Sequence, residues 1–239
     1  MESVLDARTV RTLHSMLNRE LLSEMVGTIS AGKEANVYLA RLASMSGYPP
    51  GTPAAVKVYK IDTQTSKWMM EYLRGDYRFR KQGHNISKII FSWTLKEFRN
   101  LSRAHQAGVM VPQPIAVRNN VLVMQFIGED EVPAPRLKDV RVLEDPQDAF
   151  EQALGIVRNL YERCGLVHGD FSEFNVLYLH GELYAIDISQ GVTTQHPKAR
   201  FYLARDLKNL FNYFERWDVD LPDVEETFYQ ITETESEGE

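Results

Sequence analysis

Apolar residues recur along the chain at two spacings, which predict a mixture of helices and strands. Spacings of three and four residues predict helices at 5–26, 93–105, 148–164 and 203–214. Shorter alternating or continuous apolar runs predict strands at 27–40, 54–60, 121–126 and 183–188. The glycine- and proline-rich piece 42–53 predicts a loop, and the acidic end from Thr232 predicts a disordered tail. Each candidate functional residue can therefore be assigned to a predicted helix, strand or loop.

Composition narrows the class of protein. A chain of 239 residues can bury a sizeable core. No apolar run reaches the roughly 20 residues that cross a bilayer, and the first ten residues lack the apolar core of a signal peptide. The single cysteine, Cys164, excludes an internal disulfide and agrees with a reducing compartment. We therefore expect a cytoplasmic protein without a membrane partner.

The segment LVHGDFSEFNVLYLHGELYAIDI holds the most informative polar residues. Asp170 and Asn175 form the pattern D-x-x-x-x-N on a loop, and Asp187 follows at the end of a predicted strand. Phosphoryl transfer from ATP needs such a set: one carboxylate orients the attacking hydroxyl, while an amide oxygen and a second carboxylate hold Mg²⁺. The alternative is a hairpin with incidental acidic residues.

A turn and a lysine upstream fit the same chemistry. Small residues in Ser30–Lys33 would let backbone N–H groups approach phosphate oxygens, although a simple hairpin remains open. Lys57 lies on the same strand face as Ala55, and a lysine on an inward face needs a partner. On the helix 93–105 we expect Glu97 to be that partner. The alternative for both residues is an exposed surface charge.

The strand 121–126 ends where a two-lobed fold would cross between its lobes. There adenine would bind the backbone at Gln125 and Ile127, with Met124 behind the base. Met124 is expected to be a core residue in either case.

Residues 60–88 carry seven Lys or Arg and three acids, with aromatic residues interleaved. In a chain with a net charge of −6, this asymmetry predicts a contact surface for RNA phosphates or an acidic partner. A solvated helical excursion is the alternative.

Six motifs in order give the chain a family resemblance: SAGKEANVY, AVKVYK, KEFRNL, VMQFIG, LVHGDFSEFNVLY and AIDISQ. Together they resemble the RIO family of atypical serine protein kinases, in its Rio-one type, over most of the chain. Ala31 stands where the family often has Thr, and Gly169 stands where many members have Ala. Neither departure touches a catalytic position.

The resemblance implies an α+β, bilobal protein-kinase-like fold. The expected organisation is an N-terminal helical extension over 1–26, a β-rich lobe over 27–127 with a family-type insertion at 60–92, a mainly helical lobe over 128–231, and an acidic tail over 232–239. Little chain follows Asp187, and none of it spells A-P-E, so we expect no full activation and peptide-docking segment.

The resemblance also implies an activity: use of ATP with Mg²⁺, or Mn²⁺ in its place, serine autophosphorylation, ATPase turnover, and a part in maturation of the small ribosomal subunit. Partners would be proteins or rRNA of the pre-ribosomal particle.

By resemblance, each matching residue receives a role. Asp170 resembles the catalytic base, Asn175 a metal ligand, and Asp187 a metal ligand and phosphate acceptor. The remaining residues would hold the nucleotide: Ser30, Lys33, Lys57, Glu97, Met124, Gln125 and Ile127. In this interpretation the polar side chains of Lys57, Asp170, Asn175 and Asp187 converge on one magnesium triphosphate.

Two other classes stay open. Small-molecule phosphotransferases of the aminoglycoside or choline type also use H-G-D-x-x-x-x-N followed by an aspartate on a strand. A nucleotide-sensing scaffold that hardly turns over is the third possibility. Self-phosphorylation is expected only from the protein kinase class.

Overall fold

A computed structural model of the chain describes residues 5–75 and 85–233. The fold is α+β and consists of two compact units. The first unit contains Met1–Arg99 and Gln113–Pro133, and the second contains Asn100–Pro112 and Ala134–Glu239. The first unit carries the antiparallel sheet, and the second is mainly helical.

Five antiparallel strands form the sheet of the first unit, in the order β1-β2-β3-β5-β4. They are β1 Leu22–Ala31, β2 Ala35–Leu42, β3 Pro53–Tyr59, β4 Pro114–Arg118 and β5 Val121–Gln125. Because β3 is central, it is almost wholly buried from Ala54 onward. Lys57 on this strand lies opposite Val37 of β2 and Leu122 of β5. A short hairpin of β6 Gly128–Glu129 and β7 Val132–Pro133 follows the sheet.

Helix α1, Ala7–Asn18, packs on the sheet through the buried side chains of Leu13 and Met16. The predicted helix over 5–26 is therefore too long. The chain turns at Glu20, whose φ is 54°, and then enters β1. Three register shifts interrupt the pairing of β1 with β2. They break the alternation that identifies a strand, which explains why residues 22–26 are predicted as helix and only the second half of β1 as strand.

Two more helices belong to this part of the chain. They are α2 Thr63–Gly75 and α3 Ile86–Gln106, whose residues from Asn100 onward count with the second unit. Helix α3 begins earlier than the predicted 93–105. Ile89, Ile90 and Trp93 are buried in a cluster with α2, which explains the additional helical turns.

The second unit is built on three helices, α4 Pro146–Glu162, α5 Ala199–Phe214 and α6 Val224–Glu233. Phe150 of α4 packs edge-on against Phe211 and Phe214 of α5, with ring centroids 5.4 and 5.5 Å apart. Two antiparallel pairs complete it: β8 Leu166–Val167 with β11 Val192–Thr193, and β9 Val176–Leu179 with β10 Glu182–Ala185.

Helix α6 was not predicted, because its buried face carries Thr227 and Thr232 beside a single aliphatic residue, Ile231. Thr232 and Glu233, expected in a disordered tail, are the last residues of this helix. The rest of that tail lies outside the described residues. None of the helices in 5–75 and 85–233 combines the length and apolar character that crossing a membrane requires.

Candidate active site

The turn between β1 and β2 is held close to the sheet. The N–H of Gly32 donates to the Ala35 carbonyl at 2.9 Å, and Lys60 Nζ donates to the Gly32 carbonyl at 2.6 Å. A Cβ at residue 32 would lie only 2.8 Å from the Ala35 oxygen, so the turn needs glycine. Ser30 is half-buried at the end of β1, and Lys33 is exposed. The turn therefore presents backbone and a lysine at the surface.

Lys57 and Glu97 form a buried ion pair. Lys57 Nζ lies 2.8 Å from Glu97 Oε1, and the two residues are 6% and 1% exposed. The central strand β3 carries the lysine, and the middle of α3 carries the glutamate. A buried ion pair contributes little to stability because desolvation offsets its Coulombic attraction. Stability alone therefore does not account for the pair.

The predicted adenine contacts lie at the end of β5 and just beyond it. Met124 and Ile127 are buried, whereas Gln125 is exposed. The N–H of Gln125 donates to the Gln113 carbonyl at 2.8 Å. The N–H of Gln125 is therefore already engaged in a hydrogen bond at the position where adenine was expected.

Asp170 and Asn175 contact each other in the loop between β8 and β9. Asn175 Nδ2 donates to the Asp170 main-chain oxygen at 2.9 Å and to its Oδ2 at 3.1 Å. Gln190 Nε2 donates to the same Oδ2 at 3.2 Å. Because both donors hold one carboxylate oxygen, they fix the orientation of the Asp170 side chain.

Asp187 lies two residues after β10, in the left-handed region with φ 60°. Its side chain is exposed, and its Oδ1 accepts a hydrogen bond from Ser189 Oγ at 2.8 Å. The following turn is held by Asn100 of α3, whose Nδ2 donates to the carbonyls of Ile188 and Gly191 at 3.0 and 3.2 Å.

Asp206 of α5 supports the loop between β8 and β9 through hydrogen bonds to its backbone. It is fully buried, and its two carboxylate oxygens accept hydrogen bonds from the N–H groups of Gly169 and Phe171 at 2.7 and 2.9 Å. These residues flank Asp170, so Asp206 fixes the backbone on both sides of it. Gly169 has a φ of +79°, which suits glycine at this position.

Burial and neighbouring charges shift the pKa values of two carboxyl groups, Asp170 and Asp206. Burial, and then the nearby Asp187 carboxylate, raise the pKa of Asp170 above its ordinary value, while Arg205 opposes them. Burial raises the pKa of Asp206 from 3.8 to about 7, despite its two backbone hydrogen bonds. Arg205 Nη2 also donates to the Gly169 carbonyl. The loop thus gathers two carboxyl groups and a guanidinium around Asp170.

The sequence-predicted site residues fall into two groups. Ser30, Lys33, Lys57, Glu97, Met124, Gln125 and Ile127 belong to the first unit, and Asp170, Asn175 and Asp187 belong to the second. Lys57 contacts Glu97 in the first group, and Asp170 contacts Asn175 in the second.

Sequence reasoning missed the supporting residues Tyr59, Gln190, Arg205 and Asp206. Asp206 carried a signal, since it lies between Leu203 and Leu207 on the apolar face of α5, where an unpaired acid would be unfavourable. Tyr59 shares the strand face of Lys57. Gln190 ends the AIDISQ motif but received no role from it, and Arg205 had no such signal.

Comparison with known proteins identifies the family of the chain. Residues 36–227 match the family model of the RIO domain. The serine/threonine-protein kinase Rio1 of Haloferax volcanii is 43% identical over 219 residues, which cover 92% of this chain and 73% of the relative. Human serine/threonine-protein kinase RIO1 is 41% identical over 98% of this chain, but the match covers only 40% of the human protein.

A solved structure shows the same fold. The Rio2 kinase–ADP/Mg²⁺–phosphoaspartate complex from Chaetomium thermophilum superposes with a TM-score of 0.67 and 22% identity, covering 95% of this chain and 70% of that one. At this identity the likeness supports the protein-kinase-like fold alone. The family match and the identity to Rio1 relatives go further: this chain belongs to the RIO family of serine/threonine-protein kinases, in its Rio1 type.

Proposed function

We propose that the chain is a Mg-ATP-dependent serine/threonine kinase that phosphorylates itself, hydrolyses ATP and acts in maturation of the small ribosomal subunit. The buried ion pair of Lys57 and Glu97 is the observation that carries the proposal. Because a buried ion pair contributes little to stability, another role would account for it. In a kinase, Lys57 would bind phosphate oxygens and Glu97 would orient Lys57.

The other residues receive roles by their chemistry. Asp170, fixed by Asn175 and Gln190, would accept the proton of the attacking hydroxyl or water. Ser30 and Lys33 would lie over the phosphates. The Gln125 carbonyl and the Ile127 backbone would hold adenine, with Met124 behind it.

Asn175 and Asp187 are the proposed ligands of Mg²⁺ or Mn²⁺. Because Asn175 Nδ2 is engaged by Asp170, its Oδ1 is the amide atom left for a cation. An amide oxygen and a carboxylate suit Mg²⁺, which usually takes one or two protein ligands and completes its shell with phosphates and water. The bound ion would neutralise charge on the phosphates.

The ATPase role is supported by kinship, whereas the ribosomal role is proposed from the family resemblance of the sequence motifs. Relatives named Rio1 kinases match most of this chain, and the fold matches a Rio2 kinase captured with ADP, Mg²⁺ and phosphoaspartate. An aspartyl phosphate on this chain would form at Asp187, the exposed candidate acceptor. Proteins or rRNA of the pre-ribosomal particle are the proposed partners.

The direct test is incubation of the purified chain with γ-labelled ATP and Mg²⁺. We expect label on the chain, with phosphoserine after hydrolysis, and slow release of free phosphate. The exposed variant Asp139→Asn should behave like the wild type. Label that appears only on added aminoglycoside or choline would instead identify a small-molecule phosphotransferase, and nucleotide binding without any transfer would identify a scaffold.

The metal assignment predicts that Asp187→Ala abolishes the Mg²⁺-dependent part of nucleotide binding, because it removes the carboxylate ligand. Calorimetric titration with ATP in the presence of Mg²⁺ and of EDTA measures this part. Unchanged affinity for Mg-ATP in the variant would contradict the assignment.

A further inference from the structure

Tyr59 contacts the second carboxylate oxygen of Glu97, next to the oxygen that Lys57 contacts. It lies two residues after Lys57 on the same face of β3 and is 1% exposed. Its hydroxyl donates to Glu97 Oε2 at 2.5 Å, while Lys57 Nζ lies 2.8 Å from Oε1. The Tyr59 ring centroid is also 5.0 Å from Lys57 Nζ. One strand therefore supplies a donor to each oxygen of the carboxylate.

The backbone of Tyr59 is fixed as well. Its N–H donates to the Asn120 main-chain oxygen at 2.9 Å, and its carbonyl accepts from Asn120 Nδ2 at 2.8 Å. The same Nδ2 lies 2.7 Å from Thr9 Oγ1 on α1, and Thr9 in turn is bonded to Asp6, the N-cap of that helix. The hydroxyl of Tyr59 is thus presented to Glu97 from a rigid support.

We infer that Tyr59 is a positioning residue for the Lys57–Glu97 pair, and that α1 and Asn120 set its place. A glutamate has several rotatable bonds, so each hydrogen bond to its carboxylate narrows the orientations that the carboxylate can take. Hydrogen bonds to both oxygens fix the carboxylate plane and hence the position of the lysine amine. This role in catalysis rests on the proposed function, whereas the effect on Lys57 itself does not.

The first test is Tyr59→Phe, which removes only the hydroxyl and keeps the ring. We expect kcat/KM for Mg-ATP hydrolysis to fall about tenfold, as for the loss of one hydrogen bond to a charged group. Tyr48→Phe is the matched control, because Tyr48 packs in the same unit against the core of α1 and the sheet. That control should keep the wild-type value.

The second readout is the reactivity of the Lys57 amine, which needs no turnover. Acylation with a succinimidyl reagent, read for each lysine by mass spectrometry, should be severalfold faster at Lys57 in Tyr59→Phe than in the wild type. Exposed Lys88 serves as the internal reference. Glu97→Gln should also speed acylation of Lys57, and adding Tyr59→Phe to it should change little, because Tyr59 acts through the carboxylate.

The outcomes are separable. If Tyr59→Phe lowers kcat/KM but leaves Lys57 acylation at the wild-type rate, the hydroxyl supports only the fold and the inference is overturned. The same holds if neither quantity changes. A wild-type chain that never uses ATP would refute the proposed function, and Lys57 acylation would still decide the role of Tyr59.

Discussion

Asp170 is held in one orientation by its neighbours. Asn175 and Gln190 fix its Oδ2, Asp206 fixes the backbone on both sides, and burial with the Asp187 charge raises its pKa. A general base works best when its pKa approaches the working pH. The surroundings of this one carboxylate therefore combine orientation with a shift in the useful direction.

The first residue-scale prediction concerns Asp170→Ala. Loss of the base should lower kcat for phosphoryl transfer by roughly 10²–10⁴-fold, while Mg-ATP still binds, because Lys57, Asn175 and Asp187 remain. Transfer is measured with labelled ATP and binding by calorimetry. Protonated Asp170 cannot accept a proton, so wild-type activity should fall as the pH is lowered. Because the pKa of Asp170 is raised, this fall should occur at a higher pH than for an ordinary aspartate. Near-normal turnover in the variant would refute the assignment.

The second residue-scale prediction concerns Asp206, whose pKa is raised from 3.8 to about 7 by burial. Between these values the folded chain holds a proton that the unfolded chain has released, so the free energy of unfolding should fall as the pH rises from about 4 to about 7. Asp206→Asn cannot titrate, and the pH dependence of its unfolding in urea should be shallower.

Asp170, whose pKa is also raised, keeps part of that dependence in the variant. The exposed variant Asp139→Asn is the control and should follow the wild-type curve. An equally steep curve for Asp206→Asn would show that Asp206 does not carry the titration.

At the scale of elements, the hairpin of β1 and β2 depends on a few hydrogen bonds at its turn. Its turn is tied to the sheet by the Gly32 N–H and by Lys60 Nζ, which contacts the Gly32 carbonyl. The pairing of β1 with β2 shifts register three times. The hydrogen bonds at the turn therefore help to maintain the shape of the hairpin. A phosphate-binding role requires that shape, because the backbone N–H groups must face one point.

The element-scale prediction is that Gly32→Ala weakens nucleotide binding. The added Cβ would meet the Ala35 oxygen at 2.8 Å, so the turn must shift. We expect the Kd for Mg-ATP to rise about tenfold, comparable to losing one or two hydrogen bonds to phosphate, with a small fall in Tm. Gly27→Ala on β1 is the control, since a Cβ there meets nothing within 4 Å. Equal Kd values for the two variants would argue against a phosphate-binding turn.

On the scale of the whole molecule, charge is unevenly distributed. The chain carries a net charge of −6, yet residues 60–88 hold seven Lys or Arg and three acids. Lys67 on α2 and Lys88 on α3 are exposed, whereas Arg78, Arg80 and Lys81 lie outside the described residues. Basic residues that concentrate in one stretch of an acidic protein favour a local contact with phosphates.

The whole-molecule prediction is that Lys67→Glu with Lys88→Glu weakens binding to a small-subunit rRNA fragment. The affinity should fall, and its dependence on salt should become less steep, because fewer counterions are released. Fluorescence anisotropy at several salt concentrations measures both quantities. Arg19→Glu, an exposed charge reversal just after α1, is the control. Affinity equal to that of the wild type would identify 60–88 as a solvated helical excursion.

The family and the order of the main elements could be predicted from sequence, because they depend on local patterns. The i, i+3, i+4 spacing predicted α4 within two residues at each end, and the six motifs predicted the RIO family. Local patterns failed where neighbours in space decide structure. Register shifts concealed the first half of β1, residues 22–26, and a buried face of threonines concealed α6.

The sequence by itself determined the chemistry that this chain can hold: a D-x-x-x-x-N loop, a second aspartate and a lysine on an inward strand face. Only the tertiary structure decided what supports those groups. Tyr59 meets Glu97 across a separation of 38 residues, and Asp206 reaches back to the loop across more than 30. No local periodicity encodes such contacts, because they arise when packing brings distant elements together and a buried polar group must find a partner.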